Sequence, residues 1–243
     1  MRATRTGGRV RRRALLAAPA LLAAPPATAQ AGAVDLLLVL AVDASGSIDA
    51  DEFALQREGI AEALAHPAVL SAIRSKPRAA IGVAMVEWGS PGGAETVVAW
   101  RRIADAASAE AVAAEIRDAP RSRQSFNAIG DALVHAGALL AAAPWPAAER
   151  TIDVSGDGPD MRSHMPAPAA RDALVAAGVV INGLAIEAAS NWRDGRLAAL
   201  FERDVIGGPG AFVLRAEDRR DFARAMRAKL IREIAGLPGP VRG

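Results

Sequence analysis

The chain has no cysteine, which excludes disulfides, thiol chemistry and cysteine-ligated metals and leaves a hydrophobic core to hold the fold together. Its 3 histidines are His66, His135 and His164, and no two stand at a His-x-x-x-His spacing, which argues against a zinc enzyme. There is no Gly-x-Ser-x-Gly nucleophile elbow, because Ser155 follows Asp153-Val154. There is also no Gly-x-x-x-x-Gly-Lys-Ser/Thr loop, and the glycine-rich run Gly207-Gly208-Pro209-Gly210 has no lysine to hold a phosphate. Lysine is confined to Lys76 and Lys229, while arginine and alanine abound, which reads as compositional bias and not as a selected basic surface.

The arginines are unevenly placed. Arg2, Arg5, Arg9, Arg11, Arg12 and Arg13 precede the apolar stretch Ala14 to Ala24, and Ala27-Thr28-Ala29 follows with small residues suited to a peptidase. This order reads as a cleavable export signal over residues 1–29. The stretch contains Pro19 and falls short of the about 20 residues that a membrane span needs. The pair Arg12-Arg13 permits a twin-arginine route. Without the signal, 23 basic residues face 27 acidic ones, about −4 in net charge, so the whole-chain pI of 9.8 is no argument for nucleic acid. The mature chain is expected in the periplasm or secreted, without a stable membrane span and, lacking a lipidation cysteine, without a lipoprotein anchor.

From residue 30 onward the pattern alternates between strand and helix. Val34 to Val42 reads as a strand buried on both faces, and 51–73 as a helix broken at His66-Pro67. Ala79 to Trp88 and Glu95 to Trp100 read as strands of a hairpin, followed by helices over 108–117 and 127–142 and a strand over 150–154. A helix at 167–177, a strand at 179–186, a helix around 194–201, a short edge at 211–214 and a helix over 216–234 complete the pattern, and the tail 237–243 reads as frayed. This predicts one α/β domain over 30–243: a single doubly wound, mostly parallel sheet with helices on both faces. Ligands of such sheets sit at the carboxyl ends of strands, near the switch in strand order.

Two acidic loops fall at that edge. Asp43-Ala44-Ser45-Gly46-Ser47 follows the first strand, and Ser155-Gly156-Asp157-Gly158 follows the strand at 150–154. Carboxylate and hydroxyl oxygens gathered on tight loops suit a hard cation such as magnesium, manganese or calcium. Either loop alone reads equally well as a turn with capping residues; their shared place after strands is what favours a metal. Glu87 and Trp88 end another strand at this edge, Glu87 as a hydrogen-bond acceptor and Trp88 as either ligand contact or buried packing. Trp100, Trp145 and Trp192 read as packing, and His164 with Asp160 and Arg162 as part of the rim.

In their order, Asp43-x-Ser45-x-Ser47, a polar residue opening a later helix, and Asp157-Gly158 after a strand resemble the metal-ion-dependent adhesion site of the von Willebrand factor A domain, over about residues 34–234. The runs 41–47, 86–88, 152–159 and 205–212 resemble an exported bacterial family of unknown function. The resemblance implies one cation held by Asp43, Ser45, Ser47 and Asp157, with a Thr in the third loop. Counting back from Ala132-Leu133, that Thr position carries Asn127, with Ser125 as the nearby alternative. Asn127 is then either an oxygen ligand or the cap of the following helix.

The function implied is a non-catalytic binding module whose cation accepts a carboxylate from a protein partner. Two alternatives stand beside it. One is a metal-assisted hydrolase with Asp157 or Glu87 as base; the other is a metal-free structural component of an envelope assembly.

Overall fold

The computed structural model describes residues 32–187, 194–218 and 221–236; the expected signal segment, Trp192 and the tail 237–243 lie outside them. In chain order the elements are β1 (Val34–Asp43), α1 (Ala50–Ala65), α2 (Pro67–Arg74), β2 (Ile81–Trp88), β3 (Glu95–Ile103), α3 (Ala106–Asp118), α4 (Ile129–Ala141), β4 (Ala147–Gly156), α5 (Ala167–Ala176), β5 (Val180–Ile186), α6 (Arg196–Asp204), β6 (Val213–Ala216) and α7 (Phe222–Ala235).

The strands form one sheet in the order β3-β2-β1-β4-β5-β6. All neighbours are parallel except β2 and β3, the expected hairpin. Because the chain moves outward from β1 first through β2 and then through β4, the strand order reverses at β1, and the carboxyl ends of β1 and β4 meet at the switch point.

Every residue of β1 is buried, and alternation assigns its side chains to two cores. Leu36, Leu38, Leu40 and Val42 join one cluster with Ile60 and Leu64 of α1, Val112 of α3 and Leu230 of α7. Leu37, Val39 and Ala41 join the other with Ile129 and Leu133 of α4 and Phe201 of α6. Helices therefore cover both faces, as the sequence pattern predicts.

Buried ion pairs fasten two of the helices. Arg57 of α1 donates to Glu87 Oε1 on β2 at 2.5 Å, and Lys229 of α7 lies 2.5 Å from both Asp153 of β4 and Glu233.

Helix starts follow local chemistry. Asp49 and Glu52 form a capping box at α1, and Asp105 with Ser108 does the same at α3. His66 breaks the 51–73 segment as expected, and its Nδ1 accepts from Ala68 N to cap α2. Several boundaries differ from the sequence reading, two of them because strand pairing claims the residues. β4 starts at Ala147, because Val34 of β1 pairs with it. Ala216, expected in the last helix, is buried in β6 opposite Ile186; the helix starts at Phe222 and ends at Gly236, whose φ of 65° suits glycine. Among the described residues no helix is long and apolar enough to cross a membrane.

Candidate functional site

The loop after β1 turns on Asp43. This side chain is fully buried; its Oδ1 accepts from Ser45 N at 2.8 Å, closing the turn, and its Oδ2 accepts from Asp157 N at 3.3 Å across the switch point. Ser47 Oγ donates to Asp157 Oδ2 at 2.9 Å, and Ser45 Oγ lies 3.0 Å from Ser47 Oγ. A hydroxyl has one proton, so Ser45 donates to Ser47 and Ser47 to Asp157. Four of the five expected ligands thus form one hydrogen-bonded group built from two strand ends.

Burial pushes the Asp43 carboxyl up to about 7, and the neighbouring Asp157 carboxylate adds to it; hydrogen bonds from Ser45 and Asp157 only partly offset this. A buried carboxylate beside another acid is an environment that a bound cation would relieve.

Asn127 is the fifth expected ligand. It is not the cap of α4: the cap position is Ala128, which makes no side-chain hydrogen bond. The free amide of Gly130 at that helix start is satisfied instead by Asp160 Oδ1 at 3.1 Å and Ser163 Oγ at 3.0 Å. The Asn127 side chain lies against Gly158, where an added Cβ would come within 2.3 Å of its Nδ2. Its Oδ1 is buried and has no hydrogen-bond partner. A buried carbonyl oxygen without a donor, next to the Asp157 loop, fits the role of an oxygen ligand to a hard cation. Ser125, the alternative, is exposed, and its backbone carbonyl packs near Gly46.

Among the described residues no group of three or more His, Cys, Asp or Glu is placed to hold a metal ion. The donors here are two carboxylates, two hydroxyls and an amide oxygen, a set that fits a hard cation and offers a soft one nothing.

Glu87 belongs to the scaffold. It is fully buried, its Oε1 accepts from Arg57 and its Oε2 accepts from Ser122 N at 2.7 Å. Buried and paired with Arg57, it faces the scaffold and not the Asp43 and Asp157 loops. It holds the loop that leads to Asn127. Trp88 is fully buried, beneath Gly156, where an added Cβ would meet the indole at 3.0 Å. It is packing and not a contact surface, although its Nε1 has no hydrogen-bond partner. Trp100 also packs, donating to Leu139 O at 3.2 Å.

Arg121 and Asp131 escaped the sequence reading as supports, and Asp160, read there as rim, is a third. Arg121 donates to the carbonyls of Ile48 at 2.8 Å, of Ala44 and Ser45 at 3.3 Å and of Asp49 at 3.4 Å, while its guanidinium lies 4.6 Å from the Phe53 ring centre. It knits the Asp43 loop from outside. Asp160 also accepts from Ala167 N at 2.9 Å, so one carboxylate serves the starts of α4 and α5. Asp131 accepts from the amides of Gly92, His164 and Met165 and from His164 Nδ1 at 2.9 Å. Burial opposes its charged form, but those amides outweigh burial and hold it below the ordinary carboxylate range. An Asp spaced irregularly from its partners leaves no sequence signal for such roles.

This fold, with its hydrogen-bonded Asp-x-Ser-x-Ser loop at the switch point, is that of the von Willebrand factor type A domain. Similar solved structures include the pilus adhesin SpaC from Lactobacillus rhamnosus GG, at TM-score 0.60 and 14% identity over 83% of this chain and 31% of that one. Proximal thread matrix protein 1 from the mussel byssus, solved with a zinc-occupied MIDAS motif, matches at TM-score 0.59 and 16% identity over 83% of this chain and 46% of that one. The vWF domain of the type V pili tip protein Mfa5 from Porphyromonas gingivalis matches at TM-score 0.58 and 10% identity over 87% of this chain and 99% of that one. The chain thus spans less than half of the first two and nearly all of the third. No curated protein matches. The chain belongs to the family described as protein of unknown function DUF1194, whose model matches residues 33–238.

Proposed function

We propose that this protein is an exported, non-catalytic binding module that holds one divalent cation, magnesium or else manganese or calcium, and offers it to a carboxylate of a protein partner. Asp43, Ser45, Ser47, Asn127 and Asp157 would hold the ion, directly or through water. The observation that carries the reading is the buried, partnerless Oδ1 of Asn127, whose side chain lies against Gly158 of the Asp157 loop, the loop that also bonds a buried Asp43 whose charge is disfavoured. A cation would neutralise the paired acids and, held by few protein charges, would stay electrophilic enough to accept an outside carboxylate. The adhesin and pilus-tip proteins of the same fold support a role in protein contact. The order of charged, apolar and small residues in 1–29 supports export, to the periplasm or beyond.

The test is a thermal melt of the chelator-stripped protein titrated with magnesium, manganese and calcium, beside Asp43→Ala. A cation present at a hundred times its Kd adds about 2.7 kcal/mol, several degrees for a domain of this size. A rise confined to the unmutated protein supports the reading. Flat melts in both overturn it in favour of a metal-free structural role.

A further inference from the structure

Among the described residues 5 large hydrophobic side chains are exposed: Leu55, Phe126, Val134, Met161 and Met165. Leu55 lies apart on α1. The other 4 stand on α4 and on the two loops that carry Asn127 and Asp157, the same elements that carry two of the candidate ligands. Val134 and Met165 line a groove of about 570 Å³ with Ala94, Ala138 and the His135 and His164 rings. Phe126 and Met161 adjoin Asn127: Phe126 precedes it in the chain, and Met161 N donates to Asn127 O at 2.7 Å.

The charge on this side is of one sign. Arg123 and Arg162 are exposed, and Arg162 lies over the Phe126 ring at 4.6 Å. The carboxylates there are engaged within the fold: Asp131 accepts from three amides and His164, Asp160 caps two helices, and Asp157 accepts from Ser47. What faces outward is therefore cationic and apolar.

The groove is also preformed. Gln124 bridges Ser90 N and Gly93 O, tying the third loop to the β2–β3 turn, and Asp131 ties Gly92 of that turn to His164. Little loop ordering remains to oppose binding.

We propose that this groove is the second half of the partner site: the partner is a protein segment in which a carboxylate reaches the cation and an aliphatic side chain a short distance along enters between Val134 and Met165. The proposal rests on the cation reading and extends it from an ion to a two-point contact. The apolar half favours a peptide over a polyanion such as a sulfated glycan, which has nothing to place there.

The probe is a phage-displayed random peptide library captured on the full chain in magnesium and released with chelator, its survivors resynthesised with a fluorophore. Peptides that share an acidic and an aliphatic residue, and that bind about tenfold or more weakly to Val134→Lys and to Met165→Lys, support the proposal. The magnesium shift of the melt is expected to persist in both variants, which separates loss of the groove from loss of the cation or the fold. Chelator-released peptides that bind both variants unchanged overturn the groove while leaving the cation site intact. So does a library that yields none, or a sulfated glycan that binds equally well to wild type and Val134→Lys. Peptides that only a second, low-pH elution recovers, that bind equally in chelator and are lost in Val134→Lys, overturn the two-point contact, and a flat magnesium melt of the wild type identifies the cation reading as what failed.

Discussion

Asp157 donates its backbone amide to Oδ2 of Asp43 at 3.3 Å, so the carboxylate that closes the first loop also ties β1 to β4. Two acids are thereby held together at the switch point, where burial and the neighbouring Asp157 charge disfavour the ionised form of Asp43.

That cost predicts opposite effects of one substitution. Asp43→Asn keeps the size and removes a charge that burial and Asp157 disfavour, while giving up one of the two acceptors used by Ser45 N and Asp157 N. The metal-free variant at pH 8 is expected to melt higher than wild type, by about 1 kcal/mol, because a buried unpaired charge has been deleted. The cation-induced rise should vanish. A lower melting point without metal would mean that the hydrogen bonds of Asp43 outweigh its desolvation.

Asn127 separates a ligand from a bystander. Asn127→Thr restores a hydroxyl oxygen and should keep or strengthen the magnesium shift, whereas Asn127→Ala should reduce it with little change in the metal-free melt. Gly158→Ala should act like Asn127→Ala, since its new Cβ would meet Asn127 Nδ2 at 2.3 Å and push the side chain away. Equal magnesium shifts in all of these proteins would remove Asn127 from the ligand set.

The sequence made the sheet legible because Leu36 to Val42 is continuously apolar and the helices keep their periods, so the succession of elements and the layering follow from pattern, while the strand order β3-β2-β1-β4-β5-β6 does not. The Asp-x-Ser-x-Ser loop was legible because its oxygen-bearing residues are local. What pattern could not reveal is geometry that joins distant segments. Asn127 reads as a cap from its place before Ile129, yet the amide it would serve is taken by Asp160 and Ser163. Glu87 reads as a site acid from its place at a strand end, yet alternation turns it toward Arg57 on the opposite face from Trp88. Ala216 extends an apparent helix period, yet pairing with Ile186 claims it for the sheet.

Arg121 is expected to matter without touching a ligand side chain. Its guanidinium satisfies backbone carbonyls at Ala44, Ser45, Ile48 and Asp49. Arg121→Ala should destabilise by about 1–3 kcal/mol and weaken the cation response by loosening the Asp43 loop. Arg121→Lys should recover only part of this, because an ammonium cannot span the same set of carbonyls. A full cation response in Arg121→Ala would show that the loop is held by Asp43 alone.

Beneath α7, Lys229 sits between Asp153 and Glu233, all buried, and Asn182 Nδ2 donates to Glu233 Oε1 at 2.9 Å. Burial pushes the Glu233 carboxyl up to about 7, the Asp153 charge adds to this, and Lys229 offsets only part of it. A carboxyl raised in the folded state favours folding while protonated, so its contribution is complete below the unfolded value of 4.5 and is lost as pH rises to about 7. Chelator-treated wild type should therefore resist urea less at pH 8 than at pH 5, and Glu233→Gln should flatten that slope without altering the share that Asp43 contributes. Lys229→Met should cost about 3–5 kcal/mol at pH 8, where it strands two buried acids, and less at pH 5, where Glu233 carries a proton. An equal loss at both values would mean that Lys229 acts through Asp153 alone.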